Sequence, residues 1–169
     1  MKNNTLMILD IGCGRNKTPG AIGIDIDNSS DADVLHDLNS HHYPFKKNVF
    51  DRIICKQVLE HLDSLPDVFR EIHRIAKSNA LLVIEVPHFS CFYAFCSLSH
   101  KRFFSYFSLD SFLKKSGLFV IQKRKITFHR AYRRWCLHLL FNRFPLSYER
   151  FWTFIFPAEH LYFELRVIK

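Results

Sequence analysis

Two glycines at the end of an apolar run constrain this 169-residue chain more than any other feature. The run Leu6–Leu9 is typical of a buried strand, and it leads into residues 10–14, DIGCG. Glycines at a strand end let the backbone turn sharply and approach a ligand closely. A second apolar run, 21–24, ends in Asp25, whose carboxylate can accept hydrogen bonds from both hydroxyls of a ribose. Strand, glycine turn, strand and acid predict the first half of a nucleotide-binding α/β unit.

The spacing after the glycines argues against a dinucleotide. Lys17 stands where a G-x-G-x-x-G motif has its third glycine, and residues 18–20, TPG, are a turn signal. At most one helical turn fits before the next strand, so no long helix can present its N-terminus to a pyrophosphate. The acid follows the glycines by about a dozen residues, compared with the ~20 expected for NAD. A ligand with a ribose and no phosphate suits this spacing better.

With these residues the sequence resembles the class I S-adenosylmethionine-dependent methyltransferases, and among them a small type 11-like member with shortened helices. Residues 9–14, LDIGCG, resemble the first motif of that family, and 56–62, KQVLEHL, resemble its V-L-E-H segment. Residues 50–54 resemble the family's F-D entry into the fourth strand, and 100–105, HKRFFS, resemble a segment that several members carry before a later helix. The N-P-P-(Y/F) motif of enzymes that methylate base amino groups is missing.

The resemblance implies an α/β, Rossmann-like methyltransferase fold. Its seven-stranded, mostly parallel sheet has the order 3-2-1-4-5-7-6, with strand 7 antiparallel and helices on both faces. We treat residues 1–169 as a single domain, with 129–157 inserted between strands 6 and 7. We expect strands at 6–9, 21–25, 34–38, 50–55, 81–86, 118–128 and 160–168. We expect helices at 65–77, from a Ser108 cap to Gly117, at 131–142 with one apolar stripe, and at 148–156. The connections 12–20 and 28–33 are too short for normal crossover helices.

The resemblance also implies which residues bind S-adenosylmethionine. Asp25 would hold the ribose, the glycine turn would lie beneath the methionine part, and an acid at Asp37 can accept a hydrogen bond from the adenine amino group, although Asp37 can equally cap a turn. The full predicted set of cofactor-binding residues is Asp10, Gly12, Cys13, Gly14, Asp25, Ile26, Asp37, Leu38, Cys55, Lys56 and Gln57.

Methyl transfer needs a base only if the acceptor loses a proton. The candidates are His61, His88 and His100, with Tyr93 and Tyr106 as weaker ones, and for each histidine the alternative is a structural role. The five cysteines show no C-x-x-C pair and the ten histidines no H-E-x-x-H spacing, so we expect no metal site.

The composition of the chain indicates the environment in which we expect it to fold. The 48% hydrophobic content argues against disorder, and no apolar run reaches the ~18 residues of a membrane span. No signal peptide is recognisable, and five cysteines without a pairing pattern favour a reducing cytoplasm.

Charge is uneven along the chain, since residues 97–169 carry 14 Lys and Arg against 4 Asp and Glu. The insertion concentrates this charge among aromatic side chains; its members are His129, Arg130, Arg133, Arg134, Arg143 and Arg150, with Trp135, Phe141, Phe144, Phe151, Trp152, Phe154 and Phe156. Such a segment can extend the core, cap the acceptor pocket, lie on an anionic membrane or bind a partner protein.

These observations predict a methyltransferase that acts on an unidentified acceptor, with a small molecule or a glycan or lipid-linked precursor favoured. The alternatives are a noncatalytic protein that binds S-adenosylmethionine or a partner on the same fold, and an RNA methyltransferase. Nucleic acid is possible but not favoured, because basic residues alone are non-specific. We expect a cytoplasmic protein, with peripheral attachment to a membrane as the alternative.

Overall fold

Seven strands form one sheet in the order β3-β2-β1-β4-β5-β7-β6 in the computed structural model, which describes residues 6–40, 42–133 and 135–169. The strands are β1 Ile8–Ile11, β2 Ile22–Asp25, β3 Val34–Leu35, β4 Phe50–Lys56, β5 Ala76–Pro87, β6 Phe119–Ile126 and β7 His160–Val167. The first five pair in parallel, and β7 is antiparallel to both β5 and β6. The predicted fold class and strand order are confirmed.

Four short or medium helices accompany the sheet: α1 Leu65–Ile75, α2 Asp110–Ser116, α3 Arg130–Arg133 and α4 Leu137–Arg143. Single-turn helical segments occur at Leu59–His61, Phe92–Phe95, Pro145–Ser147 and Tyr148–Trp152. Helix α1 buries the apolar stripe that its sequence predicts, and Pro66 lies in its first turn, where no N–H is needed. It ends before Lys77 because Ala76 already pairs with Phe50 as the start of β5.

Several element ends differ from the sequence prediction. Strand β3 has only two residues, and β5 begins well before residue 81. Asn79, in the stretch where the family usually has glycines, takes a φ of 62°, a conformation that asparagine tolerates better than most residues. The N-cap of α2 is Leu109, not Ser108, whose hydroxyl accepts a hydrogen bond from the Ser105 N–H instead.

The two short crossovers of the cofactor half contain turns and no helix, as predicted, and both lie wholly within the described part of the chain. Side-chain carboxylates hold them in place. Asp33 accepts hydrogen bonds from the Gly23 N–H at 2.7 Å and from the Lys17 ammonium at 2.9 Å. Asp10 accepts one from the Thr18 N–H at 2.7 Å. The ammonium of Lys17 and the Gly23 N–H hold the pKa of Asp33 below its ordinary value.

The strand residues of the main core all lie on one face of the sheet. In β7 the alternation is complete, since its core residues Leu161, Phe163, Leu165 and Val167 are each fully buried. The aromatic ring of Phe69 in α1 contacts that of Phe112 in α2 at 5.2 Å, so both helices cover this face.

The insertion departs from the sequence prediction. The expected helix over 131–142 is broken into α3 and α4, and Cys136 between them has a φ of 56°. The predicted apolar stripe is therefore not a buried face: Trp135 is 76% exposed and Leu139 61%. The insertion packs on the core through Phe141 and Tyr148, whose rings lie 4.7 Å apart. Arg134 lies outside the described residues.

Candidate active site

The glycine turn after β1 is shaped by close backbone approach. Gly12 has a φ of 63° and donates its N–H to the carbonyl of Ile24 at 2.8 Å. A Cβ at this position would lie 2.5 Å from a methyl carbon of Val58, so no larger residue fits without displacing that side chain.

Asp25 at the end of β2 clamps this turn. One of its carboxylate oxygens accepts the Gly14 N–H at 2.8 Å and the other accepts the Asp27 N–H at 2.9 Å. A carboxylate oxygen has two lone pairs, so each oxygen of Asp25 retains one for a ligand hydroxyl.

A cleft of about 250 Å³ opens beside the turn, at the carboxyl ends of β1, β2 and β4. His61, Asn39, Val58 and Leu62 contribute to its wall. Six of the predicted cofactor residues line it: Gly12, Asp25, Ile26, Asp37, Leu38 and Gln57. The carboxyl edge of an open α/β sheet is where such folds bind ligands.

Asp37 lies in the cleft wall and also caps a turn. It lines the cleft, and one of its carboxylate oxygens also accepts the Asn39 N–H at 2.9 Å, as in a turn cap. The turn fixes the carboxylate and leaves the second oxygen for a ligand amino group.

The remaining predicted cofactor residues do not line the cleft. Gly14 holds Asp25 through its N–H, Asp10 is buried beneath the turn, and Lys56 is exposed. The thiol of Cys13 packs against Gly23, and that of Cys55 is fully enclosed in the core. Burial raises the pKa of both thiols, so neither ionises near neutral pH.

His88 does not face the cleft, so the expectation that it faces the transferred methyl group is wrong. Its side chain is fully buried, with Nδ1 2.8 Å from the Ser90 hydroxyl and Nε2 3.1 Å from the Glu149 carboxylate. Glu149 also accepts the Tyr106 N–H. His88 joins the end of β5 to the insertion, and the polar pattern around it could not be seen from the sequence because Glu149 lies far along the chain.

His61 and His100 come together at the edge of the cleft. Their ring centroids are 4.7 Å apart, with an angle of 68° between the planes. The Lys101 N–H donates to the carbonyl of Glu60 at 2.8 Å and docks the His100 segment on the turn that carries His61. Burial lowers the pKa of His61, which keeps the ring neutral at pH 7.

Glu60 completes this cluster and was missed by the sequence analysis. It is only 1% exposed, and burial raises the pKa of its carboxyl group. The sequence did contain a signal, because Glu60 is the acid of the V-L-E-H segment, which the sequence analysis used only as evidence for the family. Tyr93 and Tyr106 do not line the cleft; Tyr93 is 66% exposed, and the ring of Tyr106 lies 4.2 Å from the Arg124 guanidinium.

Sheet order, glycine turn and cleft define a Rossmann-like ligand-binding fold, and known proteins with similar sequence or structure are methyltransferases. Residues 9–84 match the model of a family described as a methyltransferase domain. A methyltransferase from Archaeoglobus fulgidus, described as S-adenosylmethionine-dependent, superimposes with a TM-score of 0.70 at 17% identity over 95% of this chain and 86% of that one. The matched residues run from β1 into β5, and the structural similarity shows that the chain has the fold of the class I S-adenosylmethionine-dependent methyltransferases.

Two further similarities cover less of the compared protein. Phosphoethanolamine N-methyltransferase 2 of Haemonchus contortus, in complex with S-adenosylmethionine, has a TM-score of 0.66 at 16% identity; the match covers 96% of this chain and 48% of that enzyme. An uncharacterised protein of Methanocaldococcus jannaschii is 44% identical over 45 residues, which are 27% of this chain and 20% of that protein.

Proposed function

We propose that the protein transfers the methyl group of S-adenosylmethionine to an acceptor bound beside His61 and His100. The observation that carries this proposal is one continuous cleft that joins Asp25 and Asp37 to Gln57 and His61. In it, Asp25 binds the ribose hydroxyls, Asp37 and Leu38 meet the adenine, and the glycine turn lies under the methionine part.

The reaction depends more on the alignment of the methyl donor and the acceptor than on reactive side chains. The acceptor atom attacks the methyl carbon in line with the sulfur, and the sulfonium charge is neutralised as the new bond forms. Holding donor and acceptor in line can supply ~7–11 kcal/mol of the barrier. Where the acceptor loses a proton, the imidazoles of His61 and His100 are the bases that the cleft edge offers.

Calorimetry and a transfer assay test this function. We expect the protein to bind both S-adenosylmethionine and S-adenosylhomocysteine, and to transfer a labelled methyl group to a component of a cell extract. Binding without transfer would support a noncatalytic cofactor-binding protein, and binding of neither would refute the cofactor site. Loss of the labelled product after ribonuclease treatment would identify RNA as the acceptor.

We further propose that the protein meets its acceptor at an anionic membrane surface. The insertion connects β6 to β7 at the same sheet edge as the cleft, and Glu149 ties it to His88 at the end of β5. Large apolar side chains are exposed at this edge: Phe92, Tyr93, Phe95, Leu98, Trp135, Leu139, Leu140, Phe144, Leu146, Phe151, Phe154 and Ile155. Exposed apolar patches of this kind mark interaction surfaces.

The charge of the insertion favours a lipid surface with anionic headgroups. Its exposed arginines are Arg130, Arg133, Arg143 and Arg150, and its one acid, Glu149, is half-buried against His88. Each basic residue near an anionic bilayer contributes about 1 kcal/mol of attraction. No helix of the described residues is long and apolar enough to cross a membrane. An acceptor with a lipid anchor suits such a surface.

Vesicle sedimentation tests the membrane proposal. Wild-type protein should pellet with anionic vesicles at low salt, and less so as salt screens the charges. A double variant, Arg133→Glu with Arg143→Glu, should lose most of this binding, whereas Lys114→Glu with Lys115→Glu on α2 is a charge-matched control. Wild-type protein that stays in solution with anionic vesicles at low salt would refute the proposal. An altered acceptor KM in the arginine variant, with no vesicle binding in either protein, would instead identify the insertion as a cap over the acceptor pocket.

A further inference from the structure

We infer that Glu60, His61 and His100 form a binding site for one divalent transition-metal cation of the zinc class. One oxygen of Glu60 and one ring nitrogen of each histidine lie within 4.8 Å of one another. Two imidazoles and a carboxylate are a ligand set that zinc and neighbouring divalent ions take in proteins.

The Glu60 carboxylate points independently to a missing partner. Glu60 is 1% exposed, and neither of its carboxylate oxygens has a hydrogen-bond partner among the residues that the structure describes. A buried carboxylate without a partner is strongly unfavourable, and such groups call for a bound ion or water. A cation between Glu60 and the two imidazoles supplies the missing partner.

Hydrogen bonds prepare both imidazoles as ligands. Nδ1 of His61 lies 3.2 Å from the carbonyl of Ser99, and Nδ1 of His100 lies 2.9 Å from the carbonyl of Ala94. A carbonyl can only accept, so in both rings Nδ1 carries the proton and Nε2 keeps its lone pair. A backbone carbonyl that accepts the Nδ1 proton and so orients the imidazole is a common arrangement at metal sites.

Two hydrogen bonds hold the segment that carries His100 against the segment that carries Glu60 and His61. Besides the bond from the Lys101 N–H to Glu60, the Arg102 Nε donates to the carbonyl of Leu62 at 3.1 Å. The ligand-bearing segments are thus held together without an ion. A tetrahedral ion about 2.0–2.2 Å from each ligand needs ligand atoms about 3.3–3.6 Å apart, so side-chain rotations that shorten the distances between ligand atoms by up to about 1.5 Å close the site.

The site adjoins the cofactor cleft, because His61 lines both. Three protein ligands leave a coordination position open, and an oxygen of the methyl acceptor could occupy it beside the donor methyl group. With the ion bound, the Nε2 lone pairs of His61 and His100 would be occupied, so the ion would lower the pKa of the acceptor oxygen in place of an imidazole base. This last point rests on the proposed function, and it makes an oxygen-bearing acceptor the substrate class that the site favours. Cation binding itself does not depend on it.

Metal titration tests the inference with no cofactor present. Protein dialysed against chelator should bind one equivalent of Zn²⁺ or Co²⁺ per chain, with a Kd of about 1 µM or lower. We expect Glu60→Gln and His100→Ala each to weaken this binding ~100-fold or more, with loss of the Co²⁺ visible absorption. His42→Ala is the control, since His42 is an exposed histidine whose Nδ1 lies 3.9 Å from the Glu71 carboxylate.

Thermal unfolding separates a metal ligand from a structural residue. Zn²⁺ should raise the Tm of the wild type and of His42→Ala, and leave the Tm of Glu60→Gln and His100→Ala unchanged. Without metal, Glu60→Gln should melt no lower than the wild type, because it removes an unpaired buried carboxylate. Absence of 1:1 binding, or equal binding in the wild type and both ligand variants, would overturn the inference. Metal binding without cofactor binding would instead refute the proposed function and leave the cation site standing.

Discussion

Replacing Asp25 with alanine should separate cofactor binding from folding. The carboxylate sits in the cleft with both oxygens already fixed by the Gly14 and Asp27 N–H groups. These bonds orient it before the cofactor arrives, so its hydrogen bonds to the ribose cost little further ordering. Asp25→Ala removes the carboxylate that we propose accepts both ribose hydroxyls, together with its bonds to the Gly14 and Asp27 N–H groups.

The expected loss follows from two charge-assisted hydrogen bonds. A hydrogen bond to a charged group contributes ~1.5–3 kcal/mol. Even one such bond corresponds to about tenfold in Kd, and two to roughly 100-fold or more, because every ~1.4 kcal/mol is tenfold. The affinities for S-adenosylmethionine and S-adenosylhomocysteine should fall in parallel, since the ribose is common to both.

Calorimetry measures the two affinities, and thermal unfolding without ligand reports on the fold. Asp31→Ala is the matched control, because Asp31 is an exposed acid next to the same turn, bound to Gly14 through its backbone N–H. The control should keep the wild-type Kd. An Asp25→Ala protein that binds the cofactor as tightly as the wild type would refute the ribose assignment, and Asp27 would be the next acid to examine.

Two further predictions concern the fold. His88→Ala should lower the free energy of unfolding by ~2–4 kcal/mol, because it empties a fully buried position and leaves Glu149 without its imidazole; denaturant unfolding measures this, and an unchanged cofactor Kd in the same variant would agree with a structural role. Glu71→Gln should cost ~1–3 kcal/mol at pH 7, since the Arg74 guanidinium lowers the pKa of the Glu71 carboxyl. Because the pKa of Glu71 is lower in the folded than in the unfolded protein, the ion pair stabilises the fold at pH values above the unfolded-state pKa. This stabilisation is lost as the pH falls through the folded-state pKa, so the difference in unfolding free energy between Glu71→Gln and the wild type should close below ~pH 4. A gap that stays constant from pH 7 to pH 3 would contradict the ion pair's role.

The parts of the fold that followed from sequence are those in which the local pattern and the tertiary role coincide. The alternation in β7 and the stripe of α1 each bury one face against the core, so periodicity alone predicts them. The turn after β1 follows from two glycines at the end of an apolar run. The insertion shows the limit of this reasoning. Its apolar residues recur at helical spacing, but the helix is interrupted at Cys136, which has a left-handed backbone conformation, and Trp135 and Leu139 are exposed. Periodicity predicts which residues lie on one face of a helix, but it does not predict whether that face packs on the core or contacts solvent.

The residues of the candidate site also fall into a group that the sequence predicts and a group that it does not. The place of Asp25 and Asp37 in the cleft wall followed from sequence, because Asp25 ends β2 and Asp37 lies two residues after β3, at the sheet edge where side chains converge. The cluster of Glu60, His61 and His100 was not, because His100 reaches it through a loop whose path depends on tertiary hydrogen bonds such as that from Lys101. His88 was misplaced for a related reason: its partner Glu149 is distant in sequence, so burial of the imidazole left no local signature.

The helix-free crossovers at the β3 edge bear on how this edge opens. A crossover without a helix buries little apolar surface, so its local unfolding costs much less free energy than unfolding of the β5–β7 centre. Backbone amides of β2 and β3 should then exchange with solvent well before those of β7. S-adenosylmethionine, spanning from Asp25 to Asp37, would bridge the same edge and suppress this opening. The bound ligand should therefore stabilise the edge as a crossover helix would, and the unliganded and liganded proteins should differ less in shape than in the rate at which that edge opens.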